Sequence, residues 1–315
     1  MKLIFDAEIG LLVGGVVAVL VLASVTGWML ARGTGSAEHR STIANLNART
    51  RAWWIMVAIF LLAMVSSGIG SVLLFGLTSF LALREFVTMT PTKPGDHGTL
   101  LWIFFVITPI QYVLVAASWY GLFSIFIPVY AFLFVPLRSV LSGDCERFLE
   151  RTATIQWALM VCVYCVSHAP ALMTLRIPGF EGQNGKLLFY FVLVVQASDV
   201  LQYVWGKMFG KHRIAPTVSP NKTWEGFLGG VATATLLGTA LWWATPFTPW
   251  QAAGMSLVVT LMGFVGGLVM SAIKRDRGVK DYGTLIEGHG GVMDRIDSLC
   301  FSAPVFFHLT RYFFT

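Results

Sequence analysis

Ser271–Asp297 reads SAIKRDRGVKDYGTLIEGHGGVMDRID, and eleven of its 27 residues are Lys, Arg, Asp, Glu or His, in a chain that is only 12% charged. It follows directly on an apolar run, Gln251 to Met270. A dense charge run beside such a segment is either a solvated loop or a place where a charged ligand meets a bilayer surface. Three features favour the second reading. Lys274, Arg275, Arg277, Lys280 and Arg295 stand against Asp276, Asp281, Asp294 and Asp297, a mixture suited to an anion together with a metal. Gly288-His289-Gly290-Gly291 lets the backbone turn sharply or approach a ligand closely. Asp294 and Asp297 are three apart and share one face of a helix.

The rest of the chain has the composition of a membrane protein. Of its 315 residues 56% are hydrophobic, and mean hydropathy is +0.72. A soluble domain of this length is less apolar, and several runs approach or exceed the length of a membrane-crossing helix. Period-two alternation is too weak for a membrane barrel. The expected class is an all-α polytopic membrane protein of about ten transmembrane helices. Ile9–Leu30 reads as the first span, retained rather than cleaved. Residues 31–51 read as a polar loop. Ala52–Leu83 is too long for one span and divides near Ser66–Gly70. Thr99–Leu137 divides near Trp119-Tyr120-Gly121, with Pro109 and Pro128 kinking its two halves. Ala153–Leu175, Leu187–Trp205, Gly226–Thr245, Gln251–Met270 and Ser298–Phe313 complete the set. Organisation divides near residue 152: residues 1–152 form an N-terminal transmembrane region, and residues 153–315 carry the motifs. The first six spans, so drawn, hold no Asp, Glu, Lys or Arg.

Charge orients these spans. With the N-terminus outside, the loops 31–51, 84–98, 138–152, 206–225 and 273–297 lie inside and hold 18 of the 22 Lys and Arg residues. The positive-inside rule then puts both charged motif loops in the cytoplasm, at the cell (inner) membrane. The net charge of +6 is accounted for by this distribution and implies no nucleic acid. Cys162-Val163-Tyr164-Cys165 has only His168 nearby as a third metal ligand and lacks a βαβ context, so it reads as small residues buried in a span.

A second polar stretch, Ser198–Gly226, reads SDVLQYVWGKMFGKHRIAPTVSPNKTWEG. Ser219-Pro220-Asn221-Lys222-Thr223 sets two hydroxyls around a lysine, an arrangement suited to triphosphate oxygens. It is not a Walker loop, because the spaced glycines are missing. Asp199 lies inside a span, where a carboxylate is costly and usually functional.

Ser-x-Ile-Lys-Arg, then Lys280-Asp281, then Gly-His-Gly-Gly-x-x-Asp-Arg-Ile-Asp, together resemble the signature of the phosphatidate cytidylyltransferases, or CDP-diglyceride synthases. Upstream, Asp199, Tyr203, Gly206, Lys207, Gly210, Lys211, His212, Ser219, Pro220, Lys222, Thr223, Trp224 and Gly226 match the same family's second motif. The resemblance covers the second half of the chain. It implies an integral membrane enzyme, a homodimer by family precedent, that joins CTP to phosphatidic acid with Mg²⁺ as cofactor, giving CDP-diacylglycerol and pyrophosphate. On that basis Asp294 and Asp297, with Asp199, are assigned to metal. Ser219, Lys222, Thr223, Ser271, Lys274 and Arg275 are assigned to substrate. Lys280, Asp281, Arg295 and His289 are assigned to the catalytic group. One departure stands out. Many family members carry Gly-Asp-Leu-x-Glu-Ser where this chain has Gly266-Gly267-Leu268-Val269-Met270-Ser271. The family's metal site includes that Asp, so Asp199, Asp281, Asp297 or water substitutes, or activity is altered or lost. Two rivals remain: a CTP-dependent kinase of a lipid alcohol, and a non-catalytic membrane homologue or transporter.

The orientation is testable. Cysteines placed at Thr217 and Thr284 are expected to resist an impermeant reagent in intact cells and to label in inverted vesicles. Labelling from outside would refute the topology.

Overall fold

The computed structural model describes residues 7–32, 37–66, 68–286 and 290–315. Among them are ten helical segments and one small hairpin. The helices are α1 (Ala7–Ala31), α2 (Ala37–Val65), α3 (Gly68–Thr88), α4 (Pro94–Ala116), α5 (Tyr120–Val140), α6 (Phe148–Thr174), α7 (Asn184–Phe209), α8 (Trp224–Ala240), α9 (Pro249–Asp276) and α10 (Met293–Phe314). Eight are long and apolar enough to cross a membrane. Of the other two, α8 is only 17 residues long, and α10 carries Asp294, Arg295, Asp297 and Arg311. The class is therefore an all-α polytopic membrane protein. Leu22, Leu62, Leu73 and Leu236 stand about two-thirds exposed on outer helix faces, as lipid contact requires.

The breaks fall where turn chemistry puts them. α2 ends at Val65 and α3 begins at Gly68. Gly70 keeps that turn tight, since a Cβ there would lie 2.3 Å from the Ala63 carbonyl oxygen. The second break uses Ser118 at φ 56, just ahead of α5. Near Pro109 and within the turn holding Pro128, the helices widen into π-helical turns, Ile103–Ile107 and Phe126–Ala131. Proline lacks an N–H, and such local widening re-satisfies the carbonyls it leaves. In the first turn Thr108 adds its hydroxyl to the Ile103 carbonyl at 2.7 Å.

Several boundaries differ from the sequence reading, among them the start of α6 at Phe148, which brings Glu150 and Arg151 into the sixth span. The stretch 31–51 is largely helical, because α2 starts at Ala37; 37–51 contains no Gly or Pro and runs on into the span. α3 runs on to Thr88 and so includes Arg84 and Glu85, and Glu85 is buried. A charge-free third span is thus incorrect. Polar residues at a span's end extend a helix freely once its backbone is hydrogen-bonded within the segment. The loop 206–225 shrinks to a hairpin of β1 (Arg213–Ala215) and β2 (Ser219–Thr223), antiparallel, with Arg213 opposite Thr223 and Ala215 opposite Ser219. The loop 273–297 shrinks to residues 277–292, because α9 and α10 run into it from both sides.

One apolar core joins the two halves of the chain: Leu83 and Phe86 of α3, Cys162 and Val166 of α6, Phe191 of α7 and Phe306 of α10 belong to a single buried cluster. The cysteines are free, Cys162 packing with its Sγ 3.7 Å from Met293 Sδ. At one end of the bundle an ion network ties α4, α6 and the loop between α5 and α6 together. Arg151, 7% exposed, donates to Asp96 at 3.2 Å and to Asp144 at 2.9 Å.

α7 and α8 meet through glycine. A Cβ at Gly226 would lie 2.9 Å from Gly206 Cα, and one at Gly230 would lie 2.5 Å from Gln202 Cα. Backbone is the obstacle in both cases, so no rotamer change relieves the clash. Gly230→Ala is expected to destabilise by about 1–3 kcal/mol, as other overpacked sites do, and to lower the thermal midpoint in detergent. Gly254→Ala on α9, where nothing lies within 4 Å of the new methyl, should leave it unchanged or raise it slightly.

Candidate functional site

The polar ends of α7, α9 and α10 and the hairpin converge at the end of the bundle that holds the Arg151 network. Thr223 starts α8 as its N-cap, accepting from Gly226 N at 3.1 Å. Glu225 closes the Gly-Lys-His turn. Its Oε2 accepts from Lys211 N and His212 N at 3.0 and 3.2 Å, and its Oε1 lies 2.6 Å from His212 Nδ1. Gly210 makes this possible, since a Cβ there would lie 2.7 Å from Thr223 Oγ1. The hairpin is thereby held with Lys222 turned toward α7 and α9.

Lys222 faces a pair of carboxylates there and feels their charge. Ser298 Oγ donates to Asp199 Oδ1 at 2.9 Å and lies 3.5 Å from Asp297 Oδ1, so one hydroxyl reaches both carboxylates. Asp297 Oδ1 also accepts from Ser298 N at 2.8 Å. Burial pushes the Lys222 ammonium below the ordinary lysine range, while the charges of Asp297 and Asp199 pull it back up. Its Nζ sits 4.8 Å from the Phe264 ring centroid. The departure at Gly267 belongs to the same spot. A Cβ at position 267 would lie 2.9 Å from Lys222 Nζ and 3.5 Å from Ser298 Oγ. The ammonium has taken the space beside the missing side chain. Met270, at the other altered position, is fully buried, and its carbonyl accepts from Tyr282 Oη at 3.0 Å.

Asp294 does something different from Asp297. Its Oδ1 accepts from Lys274 Nζ at 2.8 Å, and its Oδ2 accepts from Tyr282 N at 2.8 Å and Gly291 N at 2.9 Å. It is the organiser of the loop between α9 and α10. Gly290, at φ +81, lets that loop turn, and a Cβ there would lie 2.8 Å from Asp294 Oδ2. Arg275 joins hairpin to loop, donating to the carbonyls of Val218 at 3.2 Å and Val279 at 3.0 Å. Ser271 donates to the Gly267 carbonyl at 2.6 Å, which keeps its proton within α9. Lys280 and Asp281 are exposed, and Ser219 lies at the start of β2. Arg295 buries an Nε with no partner among the described residues. His289 lies outside the described residues. The structure thus brings together Asp199, Asp297 and Lys222, with Arg295 and Lys274 acting on them electrostatically. It leaves Lys280 and Asp281 at the rim.

Among the described residues no three His, Cys, Asp or Glu side chains form a preformed metal cage. The Asp199–Asp297 pair nonetheless suits Mg²⁺, which is commonly held by one or two carboxylates plus substrate phosphates. Sequence reasoning missed Ser298, which directly follows Asp297 and could have been read as its helical neighbour. It also missed Glu225 and Glu85, whose roles depend on contacts distant in sequence.

Comparison with known proteins places the chain in a family. A sequence model of the cytidylyltransferase family matches residues 47–313, and the chain belongs to that family. It is 40% identical over 269 residues to "Uncharacterized protein YnbB" of Escherichia coli (strain K12), covering 84% of this chain and 87% of that one. It is 30% identical over 268 residues to a phosphatidate cytidylyltransferase of Staphylococcus aureus (strain COL), covering 82% of this chain and 97% of that one. A phosphatidate cytidylyltransferase of Mycobacterium leprae (strain TN) is 49% identical over 121 residues, 38% of each chain.

The two carboxylates on α10 are separable by experiment. Asp294→Ala strands Lys274 and two buried N–H groups, and breaking a buried pair commonly costs about 3–5 kcal/mol. Limited proteolysis is expected to cut between Tyr282 and Gly291 in that variant. Asp297→Ala should keep the wild-type digestion pattern.

Proposed function

We propose that the protein transfers the cytidylyl group of CTP to phosphatidic acid, giving CDP-diacylglycerol and pyrophosphate, at the cytoplasmic face of the inner membrane. The observation that carries this is the Asp199–Asp297 pair beside Lys222, at a polar bundle end adjoining lipid-facing helices. A phosphate oxygen of phosphatidate forms the new bond to the α-phosphorus of CTP, and the bond to the β-phosphate oxygen breaks as pyrophosphate leaves. The attacking phosphate is already anionic at neutral pH, so no strong base is needed. The protein's contribution is position and charge.

Asp297 and Asp199 would hold Mg²⁺, which as a Lewis acid stabilises charge on phosphate oxygens. Ser298 fixes the Asp199 carboxylate. Lys222 reaches the triphosphate from the hairpin, with the Ser219 and Thr223 hydroxyls on the same strand. Arg295 offers an unpartnered buried donor to phosphate. Lys274 is bound to Asp294 and acts through field rather than contact, while Arg275 fixes the hairpin. Lys280 and Asp281, at the rim, stand where a lipid headgroup would arrive. The Gly267 departure is tolerated on this reading, because two carboxylates and substrate phosphates suffice.

Purified protein with Mg²⁺ is expected to form CDP-diacylglycerol from CTP and phosphatidate. Asp297→Ala should lower the rate by at least about two to three decades, the usual cost of one lost electrostatic contact. Lys222→Ala should raise the KM for CTP far more than that for lipid. Gly267→Asp meets the far end of the Lys222 side chain at 2.9 Å and the Ser298 hydroxyl at 3.5 Å, and should keep activity or lower the Mg²⁺ requirement. A phosphorylated lipid product that lacks cytidine would identify a kinase instead. Absence of transfer to any phospholipid acid would overturn the assignment.

A further inference from the structure

The N-terminus of α10 is occupied by a carboxylate from the other half of the chain. Glu85, on α3, is buried. Its Oε1 accepts from Val292 N and its Oε2 from Met293 N, each at 2.9 Å. Two glycines make room for it. A Cβ at Gly283 would lie 2.8 Å from Oε1, and one at Gly291 would lie 2.4 Å from Oε2. A carboxylate at this place satisfies two otherwise unpaired N–H groups and complements the positive end of the helix dipole. Asp294 follows Met293 directly, and Asp297 comes less than one turn later.

We propose that Glu85 is a positioning residue for the transfer reaction. It acts through α10, holding that helix in the register at which Asp297 meets Asp199 and Ser298. This rests on the functional reading above. Three observations argue for it over a simple packing role. The contact is bidentate and charged, made to backbone rather than to a side chain, so it sets helix position directly. It reaches across more than 200 residues of sequence to the segment bearing both signature aspartates. It also fills the α10 N-terminus, a natural anion site, with a carboxylate of the chain itself.

Glu85→Gln keeps the shape but sets an amide N–H₂ against one of the two backbone donors. It is expected to lower kcat on the order of 10²-fold, the scale reported for small misplacement by residues away from the chemistry, while KM for CTP stays within about twofold. Amide hydrogen exchange should rise over Gly290–Asp297 and stay unchanged where α7 crosses α8. Gly291→Ala pushes on the same carboxylate from the opposite side and should reproduce both effects. Thermal midpoints in detergent identify any variant that fails to fold, and the other variant then decides. Unchanged kcat in a folded variant, an equal change in KM, or unchanged exchange at the α10 N-terminus would overturn the proposal. Should wild-type protein catalyse no transfer, the functional reading falls, and the exchange comparison still shows whether the clamp exists.

Discussion

The Asp294 carboxylate gathers donors from three places in the chain: the Lys274 ammonium on α9, and the backbone N–H groups of Tyr282 and Gly291 on either side of the loop. A buried carboxylate is costly unless it is fully hydrogen-bonded. Here the requirement works as a constraint on the loop, because moving any of the three donors leaves a charge unpaired in a nearly dry position. The segment between α9 and α10 has little other regular structure among the described residues. Its shape, and through it the direction of Tyr282 onto Met270, follows from that one carboxylate.

The pair formed by Asp199 and Asp297 stands one turn deeper along α10 and depends on a different element, the Ser298 hydroxyl. The neighbouring stripe of small residues on α9 sets the spacing. A Cβ at Gly266 would lie 2.6 Å from the Asp297 carbonyl oxygen, and Gly267 opens onto Lys222. The substitution that first looked like a lost ligand is therefore part of a consistent local packing: no side chain at 267, and an ammonium in the space beside it. Membership of the cytidylyltransferase family accounts for the shared motifs, and this packing accounts for how the chain accommodates its departure from them.

Much of this was readable from residues. Apolar length located ten helices, and the breaks at Ser66–Gly70 and Trp119–Gly121 lie where small or turn-forming residues interrupt the runs. Asp199, singled out by the cost of a carboxylate in a span, is the residue that the Ser298 hydroxyl binds. What escaped was of two kinds. Helix ends were drawn too short, as at Ala37, Thr88, Phe209 and Asp276, because hydropathy reports where apolar side chains stop, not where backbone hydrogen bonding stops. Contacts between distant segments left no local signal. Glu85 looks like an ordinary loop acid, and nothing near it in sequence points to Val292. Asp294 and Asp297 share one helix face by spacing alone, yet one organises a loop and the other pairs with Asp199, a difference set by what surrounds each oxygen.

The glycine crossing of α7 and α8 bears on how the molecule can move. Backbone lies against backbone at Gly206, Gly226 and Gly230, with no side chain between to rearrange. Such a contact cannot shear by small amounts without losing the fit altogether. The hairpin has one foot on each of these helices, so Asp199 and Lys222 travel as one rigid block. α10 approaches that block through side chains and a single hydroxyl. A displacement of α10 relative to that block would change the separation of Asp297 from Asp199 while Asp199 and Lys222 keep theirs.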